Sequence, residues 1–225
     1  MTNRRELNVI LLTVAGGAVD AIIIMGFNVL TAAQTGNTIL LSVALAQGKF
    51  ALGVSAAVSV LAFVAGVAIG QGFLSALPDR WRIRAALGFE TMLLLLLFGS
   101  WHRFGVQTGG EVEWLLIACA AAAMGVQSAV ILNLRARSTT YITGMLAGFM
   151  TGVVSDLIAK ISNHSSKGAI LRDPQTSGSW RAGVAWLTYG AAAILTGLMF
   201  IQFGPIALVL PLLAVASVIA IGTDG

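Results

Sequence analysis

Apolar runs long enough to cross a bilayer as helices, at about 20 residues each, lie near residues 8–27, 52–77, 83–101, 114–134, 182–203 and 205–222. Short polar interruptions separate them, so the pattern predicts six full transmembrane helices. Two further apolar stretches, 36–48 and 143–161, differ from these. At 1.5 Å per residue the first gives only about 18 Å of helix against a hydrocarbon core of about 30 Å, so it cannot cross as a helix alone; the second gives about 27 Å, nearly a span. Each follows a polar stretch, and each opens on a Thr-Gly step, Thr35-Gly36-Asn37 in one case and Thr143-Gly144-Met145 in the other. From Asp20 to Thr35 is 15 positions, and from Gln127 to Thr143 is 16. Matched spacing around a shared step predicts a duplicated chain, with repeat one at about 8–101 and repeat two at about 114–222 in a single transmembrane domain, 1–225.

Charge selects between two topologies, because Lys and Arg in short loops favour the cytoplasm. If all eight stretches cross, Arg80, Arg82, Arg84, Arg135 and Arg137 fall outside. If 36–48 and 143–161 instead dip in and return to the same face, every Lys and Arg except Lys49 and Arg103 lies inside. The second arrangement gives each half three full spans and one half-helix. An odd number of spans per half makes the halves inverted relative to one another. The expected fold is therefore an all-α membrane protein of six full transmembrane helices plus two discontinuous or re-entrant half-helices in two inverted repeats, with both termini cytoplasmic. An extended stretch and a half-helix that together cross the membrane remain the alternative for both short segments.

Composition agrees with a membrane class and excludes others. The 225 residues are 57% hydrophobic and 10% charged, far too little polar surface to cover a soluble globule. The net charge of +4 resides in loops between apolar segments and reports topology, not nucleic-acid binding. Arg4 and Arg5 ahead of an apolar run resemble the start of a signal peptide, but Asp20 and the spans that follow favour a first transmembrane helix. The single cysteine, Cys119, can make no disulfide within one chain. His102 and His164 read as loop residues with no second ligand at metal spacing. No cofactor is expected, and no nucleophile, base and orienting group occur together, so an enzyme is not expected.

The candidate chemistry gathers at the two Thr-Gly steps. Thr35 and Thr143 stand where an extended stretch meets a helical run, the position of an N-cap. Gly36 and Gly144 lack a Cβ and let a ligand or a second backbone approach. Two half-helices starting near the midplane would turn free N–H groups and positive dipole ends toward one cavity, favouring an anion or a carbonyl-bearing solute. Asn37, Gln127 and Tyr141 complete the candidate substrate-binding set, with Thr31, Gln34, Thr139 and Thr140 supplying further polar groups. The competing reading makes Thr-Gly a capping and packing device. Asp20, in the first span, is a candidate proton-coupling acid or a carboxyl bracing the broken helix. Glu90 reads first as a group reaching polar neighbours near the inner interface, and otherwise as a second coupling acid. Gln71 and Asn133 read as solvated span ends, and Gly66 with Gly70 as a small-xxx-small packing face.

At Ala15-Gly16-Gly17-Ala18-Val19-Asp20-Ala21, Thr35-Gly36-Asn37-Thr38, Met124-Gly125-Val126-Gln127-Ser128 and Thr140-Tyr141-Ile142-Thr143-Gly144 the chain resembles the YoaK-like family. These are bacterial membrane proteins grouped under a domain of unknown function. The resemblance covers essentially the whole chain and implies a multi-pass protein of the bacterial inner membrane with no settled substrate. A weaker similarity, at the level of fold, is to uracil-permease and sulfate-permease transporters, where a strand and a short helix occur once in each inverted half. The present chain has far fewer spans than those, which a homodimer could offset. The expected function is a small-solute transporter with possible proton coupling, its partners the lipid bilayer and a small molecule or ion. Alternatives are a passive solute channel and a non-transporting scaffold or accessory subunit.

Overall fold

The computed structural model describes residues 2–105, 110–134, 146–147, 149–155 and 179–222. The described residues are helical, without strands. In chain order the long elements are α1 (Thr2–Phe27), α2 (Gln34–Ala46), α3 (Phe50–Ala76), α4 (Asp79–Phe104), α5 (Glu111–Asn133), α6 (Ser179–Phe203), a 3-10 turn (Gly204–Leu208) and α7 (Val209–Ile221). A short helical piece lies within 146–155. Among the described residues five stretches are long and apolar enough to cross a membrane: Arg4–Phe27, Phe50–Ala76, Asp79–Phe104, Glu111–Asn133 and the 41-residue run Arg181–Ile221. Leu61, Ile39, Ile194 and Ile201 stand exposed on the outer surface, a face suited to lipid. The chain is a multi-pass helical membrane protein.

Specific contacts fix the direction of each helix. Arg181 pairs with Glu6 at 2.7 Å, the backbone of Tyr189 lies against Gly17, and Gly197 lies beside Met25, so α1 and α6 run parallel. The run Arg181–Ile221 then folds back at Gly204, whose φ of +58° suits a residue without a Cβ. Its return leg ends where Asn8 donates to the Gly222 carbonyl at 3.2 Å, back at the start of α1. Five 3-10 and thirteen α-helical residues give about 30 Å of rise, enough to recross the hydrocarbon core. Trp101 packs on Phe27 at 5.0 Å and on Phe200 at 5.5 Å, which brings the end of α4 to the ends of α1 and α6. Ser55 donates to Glu113 at 2.5 Å while Gly66 meets Ala122 and Gly70 meets Val126, so α3 and α5 are parallel. One face of the protein, here called proximal, thus holds the N-terminus, the Pro78 turn, the end of α5, the start of α6 and Gly222. The distal face holds Phe27, the Gly48 turn, Phe104, Glu111 and Phe203.

The packing is crossed between the two halves. α3 and α4 lie on α5, whereas α6 and α7 lie on α1. Glycines bring both major contacts to backbone distance: a Cβ on Gly125 would sit on the Phe63 carbonyl, and one on Gly17 would sit on the Tyr189 carbonyl. Gly66 and Gly70 pack within the chain, against α5. Three residues beyond Gly17 and Gly125 stand Asp20 and Ser128, and Thr35 and Thr143 each follow 15 positions later.

Helix limits extend past the apolar runs where polar residues can reach water. α4 begins at Asp79 behind Pro78, whose fixed φ suits a helix start, and Asp79 pairs with Arg82 at 3.0 Å. Trp81 is exposed there, the position of an interfacial anchor. His102 proves to be helical, in the last turn of α4 and stacked on Phe98, because the helix continues beyond residue 101 to Phe104.

Candidate functional site

α1 stops at Phe27 because Asn28 takes the left-handed conformation, φ +58°, a common helix terminator. The chain then doubles back along α1. Asp20, seven residues before the helix end and so about 10 Å below it, receives the returning backbone. Its Oδ1 accepts from Thr31 N at 2.6 Å, Thr31 Oγ1 at 2.9 Å and Ala32 N at 2.7 Å, and its Oδ2 accepts from Ala33 N at 3.3 Å. Tyr189 on α6 adds its hydroxyl to Oδ2 at 2.5 Å. Leu30 is held from the other side: Asn37 Oδ1 accepts from its N–H at 2.9 Å, and Asn37 Nδ2 and Ser59 Oγ donate to its carbonyl at 2.5 and 2.6 Å. Gln34 Nε2 donates to the Thr31 carbonyl at 2.7 Å. Non-helical backbone at membrane depth is tolerated only where such partners exist, and here side chains from α1, α2, α3 and α6 supply them.

From this knot α2 runs back toward the distal face. Its antiparallel packing on α3 joins Asn37 to Ser59 at 2.9 Å and sets Ala44 beside Gly53. The turn after it closes through Gly48, φ +68°, and a bond from Lys49 N to Ala44 O at 2.8 Å.

The geometry changes several sequence-based roles. Thr35 is not the N-cap: α2 starts one residue earlier, at Gln34, behind Ala33 and with no side-chain cap. The Asp20 carboxylate already holds the Ala33 N–H, so the helix begins where that grip ends. Thr35 lies exposed in the first turn, while Asn37 is fully buried with its amide spent on Leu30, Gln34 and Ser59. Gly36 makes room for the Leu30 side chain, whose Cδ1 would lie 2.7 Å from an added Cβ. Gln127 is buried in α5 and donates to the Leu12 carbonyl at 2.9 Å. Thr143, Gly144 and Tyr141 lie outside the described residues.

Glu90 departs furthest from its expected role. It is completely buried and among the described residues neither carboxyl oxygen has a hydrogen-bond partner, so it does not reach polar neighbours at the inner interface. The reason is the side of the helix it occupies. Ile83, Ala86, Leu87, Leu94, Leu97 and Trp101 form the buried stripe of α4, and Glu90 sits at its centre.

Tyr189, Ser59 and the Ser55–Glu113 pair belong to the polar interior without having been singled out in the sequence. Ser55 and Ser59, four apart on an otherwise apolar helix, are the one pattern that points to them. Removing only the Tyr189 hydroxyl, as in Tyr189→Phe, is expected to cost about 1–2 kcal/mol, read as a lower unfolding midpoint in detergent with helix content unchanged.

A match to a family model runs over residues 8–221. The chain belongs to the family described as proteins of unknown function, DUF1275. No curated protein and no solved structure matches it. The long apolar helices make the chain a helical membrane protein, and a family of unknown function leaves its role to the chemistry of the interior.

Proposed function

We propose that the protein is a small-solute transporter built from two inverted repeats, with the solute bound beside the start of α2. The observation that carries this reading is the path from Phe27 to Phe50. The chain reaches the distal face, descends as non-helical backbone to the level of Asp20, and returns to the same face as a helix of about 20 Å. A re-entrant half-helix traces such a path, and discontinuous helices of this kind form the binding sites of inverted-repeat transporters. The crossed packing supports the repeat, since exchanging α1 with α5, α3 with α6 and α4 with the 204–221 leg interchanges the α3–α5 and α1–α6 contacts and the α4–α5 contact with that of the leg on α1. Charge supports an orientation with the proximal face in the cytoplasm: among the described residues the distal face carries only Lys49 and Arg103 as Lys or Arg.

The saturated hydrogen bonds of Asp20 and Asn37 make them braces, not ligands. Solute recognition then falls to Thr35 and the first turn of α2, where a positive helix end favours an anion or a carbonyl oxygen. The same saturation favours a scaffold as the second reading. A thermal-shift screen against small anions, carboxylates and nucleobases, followed by uptake into vesicles, separates the two, because a ligand that stabilises the protein binds its folded state. Thr35→Ala should leave the unfolding midpoint unchanged and lower uptake of any solute found. A panel without hits, and a Thr35 variant indistinguishable from the parent in every flux measured, would leave the scaffold.

A further inference from the structure

Among the described residues α4 packs against α3, α5, the 204–208 turn and α7, and its last turns meet α1 and α6 through Trp101; α1 carries Arg4, Arg5 and Glu6 toward the proximal face and Asp20, and α6 carries Arg181 and Tyr189. Phe50–Ala76 carries none and Gly204–Ile221 carries none. α5 carries Glu111 and Glu113 in its first turn, at the distal face, and the buried Cys119. On α4 itself the cations Arg80, Arg82 and Arg84 stand toward the proximal face and His102 and Arg103 toward the distal face, with Asp79 in the first turn. Arg84 is six residues from Glu90, about 9 Å along the axis. Glu90 therefore occupies the middle of α4 with, among the described residues, no cation and no hydrogen-bond donor at either oxygen.

A bare carboxylate in such surroundings costs several kcal/mol, whereas the neutral acid is tolerated far better. Glu90 can change its charge only in a conformation that admits water to it. Its charge and the arrangement of the surrounding helices are therefore linked, and linkage of this kind is reciprocal: whatever opens the helices changes proton binding, and proton binding shifts the helices. Asp20 has no comparable freedom, since every group around it donates to it and opening it would release the 28–33 backbone.

We propose that Glu90 is the proton-carrying residue of the transport cycle. Resting on the transporter reading, it assigns that site its coupling ion. A proton from water on one face forms an O–H bond at a carboxyl oxygen of Glu90, the neutral acid is enclosed in the conformation seen here, and the bond breaks to water at the other face. One proton enters, one leaves, and the carboxylate is regenerated.

The test uses the full protein in vesicles of phosphatidylcholine and phosphatidylglycerol. Infrared spectra should contain a protonated-carboxyl band that is lost in Glu90→Gln and displaced in Glu90→Asp, and the band should exchange slowly with deuterated water. Glu90→Gln, an uncharged near-isostere, should fold with an unfolding midpoint at or above that of the parent. If the Glu90→Gln protein keeps the full band, or Glu90→Asp leaves it unmoved, Glu90 is ionised and the proposal is overturned. A band assigned to Glu90 in a protein that moves no solute defeats the transporter reading and leaves the buried proton site standing. Solute uptake with the same pH dependence in the parent and Glu90→Gln defeats the proton assignment and leaves transport standing.

Discussion

Replacing Asp20 with Ala is expected to cost on the order of 4–5 kcal/mol, the largest loss among single substitutions in the polar interior. Three backbone N–H groups and two hydroxyls converge on this carboxylate. Without it, buried donors at Thr31 and Ala32 have no acceptor and no water. The segment 28–33 should detach, with loss of the α2 start and new protease cleavage between Asn28 and Ala33. Asp20→Asn should be milder, about 2 kcal/mol, because its oxygen can still accept from Thr31 and Ala32 while its amide group confronts donors. Chemical unfolding in detergent and limited proteolysis read both effects. An Asp20→Ala protein with parental unfolding and cleavage would show that the backbone of 28–33 finds its partners elsewhere.

The second large effect belongs to the glycines of the α3–α5 contact. A side chain at Gly66 would meet the Ala122 backbone and one at Gly125 the Phe63 backbone. Backbone cannot swing aside as a side-chain tip can, so the helices must separate. Gly66→Leu and Gly125→Leu are each expected to cost about 3 kcal/mol. Gly72, on the same helix with open space at its Cβ position, is the control: Gly72→Ala should be neutral or stabilise by about 0.5–1 kcal/mol. The double change Gly66→Ala, Gly125→Ala should be non-additive, since an added Cβ on Gly125 would lie 3.0 Å from Gly66 Cα. Melting midpoints of the single and double variants, measured in one detergent, decide this.

Much of the fold is legible in the sequence because bilayer thickness dictates how long an apolar run must be. The stretches 8–27, 52–77, 83–101 and 114–134 reappear as α1, α3, α4 and α5, each helix starting about two to six residues earlier than its apolar run. The break between the runs 182–203 and 205–222 falls at Gly204, where the chain turns back. The site was less legible, and for physical reasons. Thr35 has the composition of an N-cap, but the start of α2 is set by a carboxylate on another helix. Tyr189 is 169 residues from Asp20 and Ser59 is 22 from Asn37; a lone hydroxyl in an apolar helix does not announce which distant group it serves. Glu90 reads as interfacial when only its nearness to Arg84 along the chain is weighed. Counting around the helix, from Ile83 through Leu87 to Leu94, puts it on the inward stripe instead.

The crossed packing of the halves also governs how the chain can be made. α1 leaves the ribosome well before the helices that cover it, α6 and α7, which begin about 150 residues later. At 5–20 residues per second that interval is roughly 10–30 s. Throughout it the newborn α1 is inserted without its native neighbours, and Asp20 waits for the Tyr189 hydroxyl. Assembly around α1 is therefore a closing event that waits for α6 and α7.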